Sequence, residues 1–349
     1  MKKPMAFSCS RRSTMLGLGA LLTQAVLQAD RAFAQELRKF RILMTPEQSG
    51  VYHAYAILQT RASEHHPWLR PVTVETGGFN YNVNYLAKNP GQWRDAMLGS
   101  ANVLEWAAAT GVKPFYPDPL KEVADFRVIG GMGGTGNFWM TFDPSIKTPN
   151  DFAGKSISTG LLSQNEWGMY PRMLLDAWGI TGKLRSFNAL GPDKNIDALI
   201  DGKVQAAFMV TFMAPDMKEI ITPAPFNQLL ASNREFHYVD VPADMIRSYN
   251  QKTGADFTVR EFRENALPKQ ARRFTTFGNE MTVSAHKTFP EDLAYEFTKL
   301  WVKMGPVVAK YNALGKLWTP EGISAPVRQK PSRAHPGALK AYKELGLLV

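Results

Sequence analysis

Between Phe40 and Leu104 the chain repeats a single short grammar: an apolar run, a turn rich in glycine or hydroxyls, then a segment with helical spacing. Phe40-Arg41-Ile42-Leu43-Met44 alternates as a strand does and meets Thr45-Pro46-Glu47-Gln48-Ser49-Gly50. The stretch after it places Tyr55, Leu58 and Ala62 on one helical face. Val72-Thr73-Val74-Glu75 reads as the second strand, Thr76-Gly77-Gly78 as its turn, and Asn80 to Leu86 as the next helix. A further helix is expected around Gln92 to Leu98, then a short strand Ala101-Asn102-Val103-Leu104. Strands that alternate with helices pack as a largely parallel sheet with helices on its faces. Ligands of such sheets sit beyond the carboxyl ends of the strands.

A second block follows the same grammar. Asp125 to Ile129 and Phe138 to Phe142 read as strands, as do Ser156-Ile157-Ser158-Thr159 and Val204 to Val210. Helices are expected up to Gly179, which suits a C-terminal cap, and from Asp193 to Ile200 before Gly202. Residues 240–275 read as irregular. A strand from Asn279 to Ala285, a helix from Glu291 to about Lys310 and a last helix from Pro336 to Leu345 close the chain. There is no internal repeat and no low-complexity linker. At 349 residues the chain has room for two domains.

Charge and cysteine narrow the setting. The formal charge is +10, and Lys2, Lys3, Arg11, Arg12 and Arg31 face only Asp30 in residues 1–34. The remaining positive charge is spread without a Lys/Arg run, so nucleic acid is not expected as a partner. Residues 1–34 read as a cleaved export signal, with a basic start, an apolar stretch Met15 to Leu22 and the small-x-small site Ala32-Phe33-Ala34. That stretch falls short of the roughly 20 residues that span a bilayer. Arg11-Arg12 gives it the look of a twin-arginine signal, which points to the periplasm. The single cysteine, Cys9, lies inside the signal, so thiolate metal sites, iron–sulfur clusters and cysteine nucleophiles are excluded from the mature chain.

Several motifs invite chemistry and have simpler explanations. Gly131-Met132-Gly133-Gly134-Thr135-Gly136 fits G-x-G-x-x-G, yet Asn137 to Phe142 reads as strand where a dinucleotide site needs a helix. A flexible crossing between domains is the better expectation, and no cofactor is expected. The six histidines form no ligand pair with nearby carboxylates, and no G-x-S-x-G is present. His65-His66 reads as an exposed helix end. Ser163-Gln164-Asn165-Glu166 fits a helix capping box, and a helix start is also where backbone N–H groups hold a carboxylate. Glu105, at the expected end of a strand, could meet a ligand ammonium or face solvent.

Four segments resemble a known family. They are Ser49-Gly50-Val51-Tyr52, Glu75-Thr76-Gly77-Gly78 through Asn82, Ile196 to Phe208, and His335 to Gly346. Together they resemble solute-binding proteins of TRAP transporters, in the TAXI (TRAP-associated extracytoplasmic) family. The resemblance implies an α/β, two-lobed periplasmic binding fold (type II-like), with residues 36–135 and 280–349 as one lobe and 136–279 as the other. It implies capture of a small organic acid or amino acid between the lobes and delivery to the membrane permease subunits, with no covalent step. Gly50, Tyr52, Thr76, Gly77, Asn82 and the segment Ser163, Asn165, Glu166, Trp167 become ligand candidates, with Glu105 and Phe208 beside them. The family's serine after the double glycine is Phe79 here, and its serine-glycine-threonine falls on Asn165-Glu166-Trp167, so an aromatic wall from Phe79 and Trp167 is expected. The alternatives are an exported α/β enzyme acting on a small organic substrate, which would show turnover, and an adhesion or scaffold protein, which would bind no small ligand.

Overall fold

Strand β1 (Arg38–Leu43) sits between β2 (Leu69–Val74) and β3 (Ala96–Ala101) in a mixed sheet. These and all elements below come from a computed structural model that describes residues 36–348; the expected export signal lies outside the described residues. The sheet runs β2-β1-β3-β12-β4-β7-β5-β6, where β4 is Phe126–Thr141, β5 Ser156–Thr159, β6 Ser186–Ala189, β7 Ala206–Met213 and β12 Glu280–His286. β1 and β3 are parallel, as are β5 with β6 and β5 with β7. β12 inserts between β3 and β4, antiparallel to both. The outcome is α/β with a parallel group at each end and antiparallel strands joining them.

Helices connect the parallel strands as the sequence grammar requires. α1 (Gly50–His65) opens at Ser49, whose side chain accepts from the Tyr52 N–H at 3.1 Å. α2 (Phe79–Lys88) follows Gly78, whose φ of 108° is open to glycine and strained for other residues. The helix expected over Gln92–Leu98 is instead a short turn, Pro90–Gln92, and then β3, with all six strand residues buried. A short apolar run has no periodicity to separate strand from helix. The strand expected at Ala101–Leu104 ends at Ala101, and Asn102 opens α3 (Asn102–Thr110), an alanine-rich segment closed by Gly111.

In the second block, α4 (Tyr170–Ala177) and α5 (Pro192–Ile200) occupy the expected places, and α6 (Ala224–Ala231) adds to them. Residues 240–275 are not irregular. They hold α7 (Ala243–Thr253) and β10 (Thr258–Phe262), and β11 (Phe274–Gly278) follows antiparallel to β10. Two further strands, β8 (Ile220–Ile221) and β9 (His237–Tyr238), pair with β7 and β4. α8 (Glu291–Val308), α9 (Pro320–Gln329) and α10 (Pro336–Glu344) complete the fold. The expected exposed helix end at His65-His66 holds for His65, which ends α1 in an exposed position, and is corrected for His66. His66 is half-buried, accepts the Leu69 N–H at 3.0 Å and contacts Glu296 at 3.2 Å.

The glycine-rich segment 130–136 is the largest departure. It is not a flexible crossing but the buried middle of β4, paired with β12 on one side and β7 on the other. No helix opens at Gly136, because the strand continues to Thr141. Its glycines admit neighbours: a Cβ on Gly130 would lie 2.5 Å from the Tyr342 hydroxyl, and one on Gly134 would lie 2.2 Å from the Arg260 guanidinium. Glycine inside a strand here marks close approach by packed groups, not freedom.

Candidate functional site

The turns after β1 and β2 are tied to β3 by one buried amide. Asn82, fully buried in α2, donates from Nδ2 to the carbonyls of Leu43 at 3.0 Å, Met44 at 2.8 Å and Gly99 at 3.2 Å. Its Oδ1 accepts from Thr76 Oγ1 at 2.6 Å, and Thr76 also contacts the Met44 carbonyl. Both residues therefore hold loop geometry with the atoms that a ligand would otherwise use. Phe79 is buried, its ring against the Gly99 backbone and Met44; it belongs to the core of this half rather than to an open wall. Gly50 offers its carbonyl to Asn312 Nδ2 at 2.8 Å. Gly77 lies against Tyr81, and Tyr52 stays half-buried beside Ser49.

The second group forms around Glu166. The expected capping box is absent: Ser163 is exposed, Gln164 occupies the cap position but its side chain accepts from the Leu161 N–H at 3.1 Å and not from the turn, and Asn165–Met169 form one wide π turn. Gly168 permits that turn, since a Cβ there would stand 2.1 Å from the Leu161 carbonyl. The wide turn rotates Glu166 inward instead of back toward its own backbone. Its Oε2 accepts from Asn137 Nδ2 at 3.0 Å and Thr135 Oγ1 at 3.1 Å, and its Oε1 from Asn165 Nδ2 at 3.1 Å. Asn279 joins through Thr135 at 2.7 Å, and its Nδ2 reaches the Tyr170 hydroxyl at 3.4 Å.

Burial pushes the Glu166 carboxyl up to about 7, against the amide and hydroxyl donors that pull it down. Thr135 has one hydroxyl proton for two acceptors, Glu166 and Asn279, which favours a proton on Glu166 itself. Next to this cluster, Arg260 pairs with Glu280 at 2.6 Å, both largely buried, and donates to the Thr135 carbonyl at 3.2 Å. Thr135, Asn137, Asn279, Tyr170, Arg260 and Glu280 were not legible as candidates. The available signal was asparagine directly after glycine inside an apolar strand, in Gly136-Asn137 and Gly278-Asn279.

The remaining candidates separate. Phe208 is core, edge-on to Trp139 at 4.8 Å between ring centroids and stacked with Phe277 at 6.0 Å. Trp167 is half-buried and packs between the two apolar clusters. Glu105 lies in the first turn of α3, not at a strand end, and is only 3% exposed. Arg333 Nη2 donates to its Oε2 at 2.8 Å. Burial raises its pKa, while Arg333 and the nearby Ser284 and Ser100 hydroxyls lower it. A cavity of about 170 Å³ opens beside it, framed by α3, β12, the end of α9 and the loop after α7. Among the described residues no cluster of three or more His, Cys, Asp or Glu could hold a metal, and no helix is long and apolar enough to cross a membrane.

The chain is thus an α/β protein with a mixed sheet, buried polar clusters and a small cavity at strand and helix ends. The chain belongs to the NMT1-like family, whose sequence profile matches residues 43–346. No curated protein matches it significantly. Among solved structures it is similar to XAC2383 from Xanthomonas citri bound to ATP, at 8% identity and a TM-score of 0.49, over 87% of this chain and 98% of that one. It is also similar to a TctC solute-binding protein from Polaromonas, at 10% identity and a TM-score of 0.48, over 89% and 99%. MatC from Rhodopseudomonas palustris, with bound malate, is similar at 12% identity and a TM-score of 0.45, over 88% and 97%. These are likenesses of outline.

Proposed function

We propose that the protein is an exported solute-binding subunit. It captures a small organic acid or amino acid between two lobes, 36–135 with 280–349 and 136–279, and delivers it to a membrane permease. The TAXI resemblance in the sequence suggests a TRAP permease as the partner. The observation that carries the reading is the Glu166 cluster. Donors from β4 (Thr135, Asn137), the 165–170 turn and the β11–β12 junction (Asn279) converge where the chain crosses between the proposed lobes. The cluster consists of amides, hydroxyls and one carboxylate, which suits recognition by hydrogen bonding and closure of one half on the other.

The test is a panel of amino acids and carboxylic acids followed by thermal unfolding and solution scattering. A true ligand stabilises by mass action, about 2.7 kcal/mol at a hundred times its dissociation constant, and shrinks the particle. A tight ligand that leaves the scattering profile unchanged, or one that is turned over, would sink the reading.

A further inference from the structure

The cavity beside Glu105 has a polar floor with unused acceptors and a charged rim with unused donors. On the floor, Glu105 Oε1 and Thr282 Oγ1 are buried and have no hydrogen-bond partner. The Ser100 and Ser284 hydroxyls lie behind the Glu105 carboxylate, near enough to lower its pKa, and do not line the cavity. Each of the two partnerless atoms facing the cavity, on Glu105 and Thr282, costs free energy unless something fills the site. Glu105 and Thr282 are 3% and 1% exposed, so bulk water does not serve them.

The rim runs the other way. Lys330 meets Asp256, and Arg333 gives one N–H to Glu105, which leaves further N–H donors on both cations at the exposed edge. Trp106, Val128 and Pro326 supply an apolar wall. A volume of about 170 Å³ is well below the roughly 300–1,000 Å³ of pockets for drug-sized ligands, so the occupant is compact. Gly254 and Asp256 come from the segment proposed as the second lobe, and the other lining residues from the first.

We propose that this cavity binds a small zwitterionic amino acid, its ammonium on Glu105 and Thr282, its carboxylate on Lys330 and Arg333, and an apolar side chain against Trp106. The proposal rests on the binding-protein reading and narrows its ligand class from organic acids in general to amino acids. An ammonium brings a positive charge and three N–H donors to the Glu105 carboxylate and the Thr282 hydroxyl oxygen. A carboxylate brings acceptors to a rim that has donors to spare. A dicarboxylate would set a second negative charge against Glu105 and leave its Oε1 unpartnered.

The experiment compares small apolar L-amino acids with the matching deaminated carboxylic acids by calorimetry, on the full mature chain. At least one amino acid should bind about tenfold or more tightly than its deaminated partner. Glu105→Gln should erase most of that preference, weakening the amino acid far more than the deaminated acid. Thr282→Val, which keeps the Glu105–Arg333 pair, should weaken the amino acid alone by a few-fold. Urea unfolding of both variants separates a damaged fold from a lost contact. The proposal is overturned if no amino acid binds at millimolar concentration, if the paired compounds bind alike, or if Glu105→Gln weakens both equally. A deaminated acid that binds tightly and shrinks the particle would overturn this proposal and leave the binding-protein reading standing. Glu105-dependent amino acid binding without shrinkage would do the reverse.

Discussion

Replacing Glu166 with glutamine should change how stability depends on pH far more than it changes the fold. The wild-type carboxyl is held up at about 7 by burial, against 4.5 when unfolded. Between those values the folded state keeps a proton that the unfolded state releases, so stability falls as pH rises from about 4.5 to about 7. At about 1.36 kcal/mol per unit, the full loss is about 3 kcal/mol, complete above pH 7 and absent below pH 4.5. Glutamine mimics the protonated acid: its amide can donate to Thr135 Oγ1, and its oxygen can still accept from an asparagine amide. Urea unfolding of both proteins from about pH 4 to about pH 8, followed by tryptophan fluorescence, gives the difference directly, and groups common to both cancel. The variant should gain on the wild type by about 3 kcal/mol across that range. A difference that stays flat within about 0.5 kcal/mol, or widens toward low pH, would show that Glu166 is ionised in the folded protein and that the Thr135 argument is wrong.

Three further outcomes are expected. Gly278→Ala places a Cβ 1.9 Å from the Thr135 carbonyl, backbone against backbone, and should cost about 1–3 kcal/mol or prevent folding, while Gly182→Ala meets nothing within 4 Å and should be neutral; equal midpoints in urea would contradict this. Asn82→Ala strips the donor from three buried carbonyls and should cost about 1–3 kcal/mol, and Asn82→Asp at least as much, because it turns a donor into a third-party acceptor; a stable Asp variant would refute the strap. Arg11→Lys combined with Arg12→Lys should leave precursor in the cytoplasm if a twin-arginine route is used. Undiminished mature protein in the periplasm of that mutant would speak for general secretion.

The first half of the molecule was legible because its elements are long enough for periodicity to speak: Val51 to Ala62 shows its buried face in the spacing alone. Short pieces were not. Met97-Leu98 lie in a strand buried throughout, and such runs carry no period. The elements of 240–275 were hidden by a polar helix, Ala243–Thr253, whose buried residues are few. At the site, Asn165 and Glu166 were legible as candidates but their roles were not, and Thr135, Asn137 and Asn279 were not legible at all. Glu166 drew attention as a cap, and only the π turn at Gly168, a matter of backbone clearance with Leu161, shows that it points inward. Thr76 and Asn82 became candidates through the family resemblance, and their polar atoms are taken up by Leu43, Met44 and Gly99.

The insertion of β12 between β3 and β4 sets a condition on when the protein can begin to exist. β3 and β4 are consecutive among the strands along the chain, yet the strand that joins them is made of residues 280–286. The seal over β4 comes later still, from the His335 N–H to the Val128 carbonyl at 2.9 Å and the Tyr342 hydroxyl to the Ile129 carbonyl at 2.8 Å. Until those residues have left the ribosome, β3 and β4 face each other with open edges, the kind that recruit other strands. A message cut short before codon 280 would therefore yield a chain prone to aggregate, not a smaller working protein. Residues 280–342 decide whether β1 to β4 become a sheet.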